Sequence, residues 1–141
     1  MTGVWVLLAV MALAAVIAVG KRWYDGRFRM REAQGSSVDR RLTAADLGTD
    51  LGSRATLVQF STSFCAPCRA TRVLLAALTA DRADVAHVEI DAEAQLDLVR
   101  RLGILRTPTV LVLDGRGIER GRASGAPRRE QVEAVLAAVA P

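Results

Sequence analysis

An uninterrupted apolar run lies at the start of the chain. Gly3–Gly20 reads GVWVLLAVMALAAVIAVG and contains no charged side chain. A helix of this length rises about 27 Å, close to the ~30 Å of a hydrocarbon core, and it lacks the polar face of a surface helix. A signal peptide is the alternative, but it favours a positive n-region and a shorter apolar stretch. We therefore predict a retained transmembrane anchor.

The distribution of charge along the chain indicates which kinds of molecule the protein can bind. The chain has 141 residues and a formal net charge of +4. Residues 21–35 hold five cations and two acids, whereas residues 36–141 are close to neutral. A nucleic-acid-binding domain needs a basic stripe on its folded part, so we expect no nucleic-acid partner. Because the cations nearest the apolar run all follow it, the positive-inside rule places the soluble part in the cytoplasm. An extracytoplasmic domain is the alternative.

A basic and polar stretch connects the anchor to the rest of the chain. Trp23, Tyr24 and Phe28 suit the headgroup level of a membrane, and we interpret the neighbouring arginines as a stop-transfer flank. The sequence EAQGSSV at residues 32–38 is typical of a flexible linker. We predict three parts: an anchor at 1–20, a basic juxtamembrane segment with a linker at 21–38, and one folded domain at 39–141.

The folded domain alternates short apolar runs with segments of helical periodicity. Predicted strands lie at residues 56–60, 86–90, 109–113 and 118–122. Predicted helices lie at residues 66–80 and 93–102, and a last helix starts near residue 127. Residues 41–47 are expected to add a short strand and a helical turn.

The connections between these elements predict an α/β fold. A helical crossover joins the first two strands, so they should be parallel neighbours. The sequence Asp-Gly-Arg-Gly at residues 114–117 is typical of a hairpin turn, so the last two strands should be antiparallel. We expect a mixed central sheet flanked by helices, preceded by one N-terminal transmembrane helix.

The two cysteines of the chain lie within four residues, in the sequence Cys65-Ala66-Pro67-Cys68. They fall where a predicted strand leads into a predicted helix. The free N–H groups and partial positive charge of a helix N-terminus stabilise a thiolate, so Cys65 is the candidate nucleophile. Cys68, one turn later, is the candidate resolving thiol. Pro67 suits the first helical turn, where no N–H is needed.

Metal binding is one of the alternatives for this cysteine pair. A structural zinc site needs four ligands, and His87 is the chain's only histidine, which leaves such a site one ligand short unless two chains share it. Copper(I) accepts two thiolates, so a non-catalytic module that carries a soft metal is an alternative function. Two inert core cysteines are the third interpretation. We predict no metal site and favour redox chemistry.

A second motif, Arg106-Thr107-Pro108-Thr109, directly precedes the third predicted strand. A proline is tolerated at the first position of a strand, where its missing donor falls at the edge. By itself this motif favours the ordinary trans peptide bond.

Together, these motifs resemble the thioredoxin family over about 100 residues, from Arg41 to Ala140. The resemblance rests on TLVQFSTSFCAPCRA, on Ile90-Asp91 at a strand end, on Thr-Pro-Thr before a strand, on the hairpin at 114–117 and on Gly125 before the last helix. It implies a thiol–disulfide oxidoreductase with a cis Pro108 that faces the disulfide. It also implies a substrate-binding set of residues beside the two cysteines: Phe64, Ala66, Pro67, Thr107 and Pro108.

Two positions depart from the pattern of that family. Phe64 stands where members usually have tryptophan, and Gln59 stands where many have a buried aspartate that moves protons near the resolving cysteine. Because glutamine cannot take a proton at neutral pH, we expect Cys68 to lose its proton less readily and the mixed disulfide to resolve slowly. We interpret His87, in the middle of a predicted strand, as a hydrogen-bonded structural residue.

These features predict a membrane-tethered oxidoreductase of cellular redox homeostasis. We expect no cofactor beyond the redox-active disulfide Cys65–Cys68. The expected partners are a protein disulfide substrate associated with the membrane, a thiol or flavoprotein electron donor, and membrane lipid around residues 3–20. The alternative from the same family is an extracytoplasmic protein of thiol–disulfide exchange.

Overall fold

The computed structural model describes residues 2–24, 28–30 and 41–139. The helices and strands follow one another in this order: α1 (Thr2–Tyr24), β1 (Phe28–Met30), α2 (Ala44–Leu47), β2 (Ala55–Ser61), α3 (Ala66–Thr79), β3 (Val85–Asp91), α4 (Leu96–Leu102), β4 (Thr109–Asp114), β5 (Glu119–Ser124) and α5 (Arg129–Ala138). The four strands and three helices predicted between residues 56 and 141 are all present. The largest shift is at α4, which starts three residues later than its pattern indicates.

Five strands form one sheet in the order β1-β5-β4-β2-β3. β2 and β3 are parallel, and β4 is antiparallel to both β2 and β5, so the predicted mixed four-stranded sheet is confirmed. β1 was not predicted. It pairs antiparallel with the outer edge of β5, within the stretch that the sequence indicates as a juxtamembrane segment. Three residues are too few to show strand periodicity, so only the pairing reveals this strand.

Helices cover both faces of the sheet. On one face, Leu75 of α3 and Val132 of α5 pack with Ala55 and Leu57 of β2. On the other face, α2 and α4 pack against the alternate residues of the same strand, of which Phe60 is the largest. Successive side chains of a strand point to opposite faces, so β2 is buried along its whole length. This explains why its sequence is apolar without alternation.

The turn between β4 and β5 lies at one end of the sheet, which we call the hairpin edge. Gly117 has a φ of 79°, and a Cβ there would lie 1.9 Å from the carbonyl oxygen of Leu42. Asp114 closes the turn by accepting hydrogen bonds from the backbone N–H groups of Arg116 (2.9 Å) and Ile118 (3.0 Å). The hairpin edge is therefore held by close backbone contacts.

The segment before β2 follows its expectation in part. Residues 44–47 form the predicted helical turn, capped by Thr43 and Asp46, whose carboxylate accepts from the Thr43 N–H at 2.8 Å. The expected strand is reduced to a single bridge between Arg41 and Ile118.

The N-terminal helix α1 extends four residues past the predicted end of the anchor. Within it, Gly3–Gly20 has a mean hydropathy of 2.6 and is not buried against the rest of the protein. It is long and apolar enough to cross a membrane, and a signal sequence would share these properties. The predicted linker at 32–38 lies outside the described residues, as do the side chains of Trp23, Tyr24 and Phe28.

Candidate active site

The first cysteine of the pair lies in the connection between β2 and α3. β2 ends at Ser61, and Cys65 is the N-cap residue of α3. Its Sγ accepts a hydrogen bond from the backbone N–H of Cys68 at 3.2 Å. This N–H also donates to the Cys65 carbonyl at 3.1 Å, and it lies in the first turn, at the positive end of the helix. Cys65 Sγ therefore occupies a position that favours negative charge on sulfur.

Cys65 and Cys68 form a disulfide with a Cα–Cα distance of 5.2 Å. The exposed fraction is 8% for Cys65 and 1% for Cys68. A substrate sulfur that approaches from solvent therefore meets Cys65 first, while Cys68 is covered by the protein. This difference agrees with the attacking and resolving roles expected for the two residues.

A second loop lies beside the disulfide, at the start of β4. The Thr107–Pro108 peptide bond is cis, as the family resemblance implies. The Thr107 hydroxyl lies 3.2 Å from the hydroxyl of Thr62, which belongs to the loop before Cys65. The N–H of Gly125, just after β5, donates to the Pro108 carbonyl at 2.7 Å. We call this end of the sheet, where β2 and β5 end and β4 begins, the cysteine edge.

Two grooves flank the disulfide at the cysteine edge. One contains three of the predicted substrate-binding residues, Pro67, Thr107 and Pro108, together with Gly125 and Arg128. The other contains both cysteines and is lined mainly by polar side chains: Ser61, Thr62, Ser63, Arg69, Arg72, Glu89 and Asp91.

Two large apolar side chains point into solvent at the same edge. Phe64, directly before Cys65, is fully exposed, and Leu105, in the loop before Pro108, is 95% exposed. Ala66 is also exposed but lines neither groove. Sequence reasoning missed Leu105 because nothing in its local pattern separates it from a core leucine. An exposed apolar pair beside a reactive disulfide suits contact with a protein substrate.

Gln59 lies directly behind the second cysteine. Its side chain is fully buried, and Nε2 donates to the backbone carbonyl of Cys68 at 2.9 Å and to Ser61 Oγ at 2.8 Å. Its Oε1 is buried without a hydrogen-bond partner among the described residues. Gln59, at the position where the family resemblance implies a proton-transferring aspartate, therefore contacts the Cys68 backbone through a neutral amide.

A carboxylate lies beside this amide on the neighbouring strand. Glu89 of β3 is in register with Gln59, and its Oε1 is 3.4 Å from Gln59 Nε2. Arg72 of α3 donates to the same oxygen at 2.8 Å. Burial alone would raise the pKa of Glu89, but hydrogen bonds from Arg72 and Ser61 and the charge of Arg72 hold it below its ordinary value. Sequence reasoning missed this group because it depends on the register between β2 and β3.

His87 lies within β3, as predicted, and is half-buried. Burial lowers its pKa, an effect that the Glu89 carboxylate opposes and the Arg72 cation reinforces. Its Nε2 is buried without a hydrogen-bond partner among residues 41–139, so the expected hydrogen bond at that atom is absent. Within the described parts of the chain, no three or more His, Cys, Asp and Glu side chains cluster as metal ligands would.

Comparisons with known proteins agree with this geometry. The family model described as Thioredoxin matches residues 41–138. A human protein, thioredoxin domain-containing protein 2, is 37% identical over 60 residues, which are 43% of this chain and 11% of that protein. The chain thus spans about a tenth of the length of this curated relative.

Solved thioredoxin structures share the fold. A thioredoxin from Nicotiana alata superimposes with a TM-score of 0.57 at 27% identity, covering 63% of this chain and 76% of that one. A thioredoxin from Fasciola hepatica gives a TM-score of 0.56 at 22% identity, covering 62% and 83% respectively.

Proposed function

This chain belongs to the thioredoxin family, and on that basis we propose that it is a membrane-tethered thiol–disulfide oxidoreductase that reduces disulfides of a membrane-associated protein. The thioredoxin fold and the Cys65–Cys68 pair at disulfide distance support the general activity. The observation that carries the mechanism is the hydrogen bond from the Cys68 N–H to Cys65 Sγ at the start of α3.

The reaction begins with the reduced pair. The Cys65 thiolate attacks one sulfur of the substrate disulfide, which forms a mixed disulfide and releases the other substrate sulfur as a thiolate. Cys68 then loses its proton and attacks Cys65 Sγ. This forms the Cys65–Cys68 disulfide and releases the second substrate sulfur. Two electrons pass from the cysteine pair to the substrate, and a thiol or flavoprotein donor returns them.

The substrate is held beside the disulfide at the cysteine edge. Pro67, Thr107 and Pro108 line one groove next to the cysteine pair, and Phe64 stands exposed before Cys65. An extended substrate segment in this groove brings its disulfide to Cys65, the less buried of the two cysteines. Ala66 completes the exposed surface between the cysteines.

The apolar helix α1 supplies the tether, and the charges that follow it set the side of the membrane. The first cations after the span are Lys21 and Arg22, and the span itself has none. The positive-inside rule therefore supports a cytoplasmic domain, where the reducing environment drives the pair toward reduction of its substrate.

Trapping tests the mechanism. In Cys68→Ser, the mixed disulfide between Cys65 and the substrate has no resolving thiol, so a covalent complex sensitive to reductant should accumulate. The control is Cys65→Ser/Cys68→Ser, which should trap nothing. If Cys68→Ser accumulates no covalent partner in membranes and does not react with a soluble disulfide peptide, the mechanism is wrong.

Reporter fusions test the tether and its side. A reporter joined after Pro141 should be active only in its cytoplasmic form, and the mass of the mature chain should include residues 1–20. An active extracytoplasmic reporter on a chain that retains these residues would reverse the side of the domain. A chain shortened near residue 20 would show that the apolar helix is a signal peptide.

A further inference from the structure

The pairing of β1 with β5 places the start of the folded domain in the same row of the sheet as Gln59, which lies behind the cysteine pair. Phe28 lies opposite Ala123 of β5, which lies opposite Val110 of β4, which lies opposite Gln59 of β2. These four residues form one row across the sheet. Neighbouring strands are about 4.8 Å apart, so the Cα atoms of Phe28 and Gln59 are separated by about 14 Å. Gln59 contacts the backbone of Cys68.

The direction of β1 shows from which end the chain arrives. β5 runs toward the cysteine edge, where Ser124 lies opposite Thr109, and β1 is antiparallel to it. Phe28 is therefore the residue of β1 nearest the cysteine edge, and Met30 is farther away. The chain reaches the sheet from the side of the disulfide.

Only residues 25–27 separate the end of α1 from β1. Four Cα–Cα steps span at most about 14 Å, so the end of α1 is within about 30 Å of Gln59. Without the β1 pairing, residues 25–40 would all act as tether and the domain would be free to turn. The strand shortens the tether to three residues.

A groove of the active site supports the same arrangement. Ala18, two residues before the end of the apolar span, lines the groove that contains Pro67, Thr107 and Pro108. Arg106 and Arg128 line the groove as well. Ala18 is only about 3 Å of helix from the end of the span, and charged side chains are costly in hydrocarbon. The groove therefore lies at the level of the headgroups, next to the water layer.

From these observations we propose that the cysteine edge faces the bilayer, and that the substrate is a disulfide in the water-exposed juxtamembrane part of a membrane protein, within about 35 Å of the point where α1 leaves the membrane. This inference rests on the proposed function and adds the location of the substrate. The exposed Phe64 and Leu105 then contact this protein segment. Large soluble proteins reach the cysteine pair less readily, because the bilayer covers their approach.

Distance measurement on the full chain in lipid nanodiscs tests the orientation. A fluorescent amino acid replaces either Leu105 at the cysteine edge or Arg116 at the hairpin edge, with acceptor dyes on the lipid headgroups. Six residues of β4 at about 3.3 Å each separate the two edges by roughly 20 Å. We expect clearly stronger energy transfer from position 105. Equal transfer, or stronger transfer from position 116, would overturn the proposal.

Lipids with bromine in the acyl chains distinguish a protein-facing edge from one inserted in the bilayer. With the probe at position 105, we expect no quenching by these lipids. Strong quenching would show that the edge docks into hydrocarbon itself, which overturns a substrate in the water layer.

Kinetics with the unmodified full chain test the substrate. A disulfide peptide is attached to lipid through a rigid polyproline spacer of 5 or 20 residues, about 16 Å or 62 Å long. We expect the short form to be reduced at least ten times faster than the long form. The same peptide without lipid serves as the reference. Equal rates for the two spacers overturn the orientation, whereas failure to reduce the free peptide overturns the proposed function.

A lengthened chain sharpens this test. Four EAAAK repeats inserted after Gly26 form a mostly helical spacer of about 30 Å, which moves the domain away from the bilayer. The preference should then shift toward the long peptide, while the free peptide is reduced at the original rate. An unchanged preference for the short peptide would contradict the proposal.

Discussion

At the cysteine edge, the strand ends surround a disulfide flanked by two grooves, and Phe64 and Leu105 extend into solvent. At the hairpin edge, Gly117 lies against the carbonyl of Leu42 with no room for a side chain, and the Asp114 carboxylate accepts hydrogen bonds from the backbone N–H groups of the turn. The same strands thus end in an open, reactive surface on one side and in closed backbone packing on the other. We therefore expect substitutions at the cysteine edge to act mainly on chemistry, and substitutions at the hairpin edge to act mainly on stability.

The largest effect is expected at the cysteine edge. Cys65→Ser removes the attacking sulfur, so the rate of disulfide reduction should fall by at least ~10³-fold. Under reducing conditions, which open the wild-type disulfide, its free energy of unfolding should stay within about 1 kcal/mol of the wild type, because serine also caps a helix. Residual activity within tenfold of the wild type would place the nucleophile elsewhere.

The hairpin edge should show the opposite result. Gly117→Ala places a Cβ against the Leu42 carbonyl at a φ of 79°, and should reduce the free energy of unfolding by ~3 kcal/mol or more. Denaturant titration in detergent measures this loss. Reduction of a soluble disulfide peptide per folded molecule should stay unchanged.

Gly48→Ala is the matched control for this clash. Gly48 has a φ of 68°, but a Cβ there would meet nothing within 4 Å. The control should therefore lose only the ~1–2 kcal/mol of a left-handed residue. Equal losses at Gly48 and Gly117 would show that the close packing at the hairpin edge contributes nothing.

A moderate effect is expected behind Cys68. Gln59→Asp introduces a carboxylate where the amide contacts the Cys68 backbone, and should speed release of product from the mixed disulfide several-fold, because Cys68 gains a proton acceptor. The control Gln59→Asn introduces a side chain of the same shape as aspartate without its charge, and it should not accelerate product release. Single-turnover measurements separate this step from the attack of Cys65. Equal rates in wild type and Gln59→Asp would remove the idea that the glutamine slows resolution.

Acid stability at the hairpin edge should depend on the charge of Asp114. Burial alone would raise the pKa of Asp114, but hydrogen bonds from Ile118, Arg120 and Arg116 hold it below its ordinary value. Its stabilising contribution is therefore present above the unfolded pKa of about 3.9 and is lost as the pH falls through the lower folded value.

Asp114→Asn should measure that contribution. We expect it to cost about 1–2 kcal/mol of unfolding free energy at pH 7, and the difference from wild type should shrink as the pH is lowered below about 4. Asp97→Asn, at a fully exposed side chain paired with Arg100, should leave stability nearly unchanged at every pH. A pH-independent difference at Asp114 would show that its charge does not stabilise the turn.

The comparison of the two edges also shows what the sequence predicts. Short apolar runs such as TLVQF predict the four central strands, and the cysteine pair at a strand-to-helix step predicts a sulfur at the N-terminus of a helix, because local periodicity and helix termini decide both. The resemblance to thioredoxins adds the cis Pro108.

Features that depend on strand register were not predictable in this way. The contact between Gln59 and Glu89 exists because β2 and β3 align these two residues. The strand β1 is defined only by its pairing with the edge of β5. His87 was expected to be hydrogen-bonded, yet its Nε2 is buried without a partner in the described residues. Burial of a single side chain depends on the packing of α3 and β3 together, which the sequence of one strand does not specify.

One atom links the redox state of the protein to its folding. Cys65 Sγ is both the proposed nucleophile and the cap of α3. A thiolate accepts hydrogen bonds more strongly than a disulfide sulfur, so opening the disulfide strengthens the cap. In a thermodynamic cycle, the free energy by which the Cys65 thiolate stabilises the folded reduced protein also favours reduction of the Cys65–Cys68 disulfide by the same amount. The disulfide is thereby made more oxidising, by about 30 mV for each ~1.4 kcal/mol.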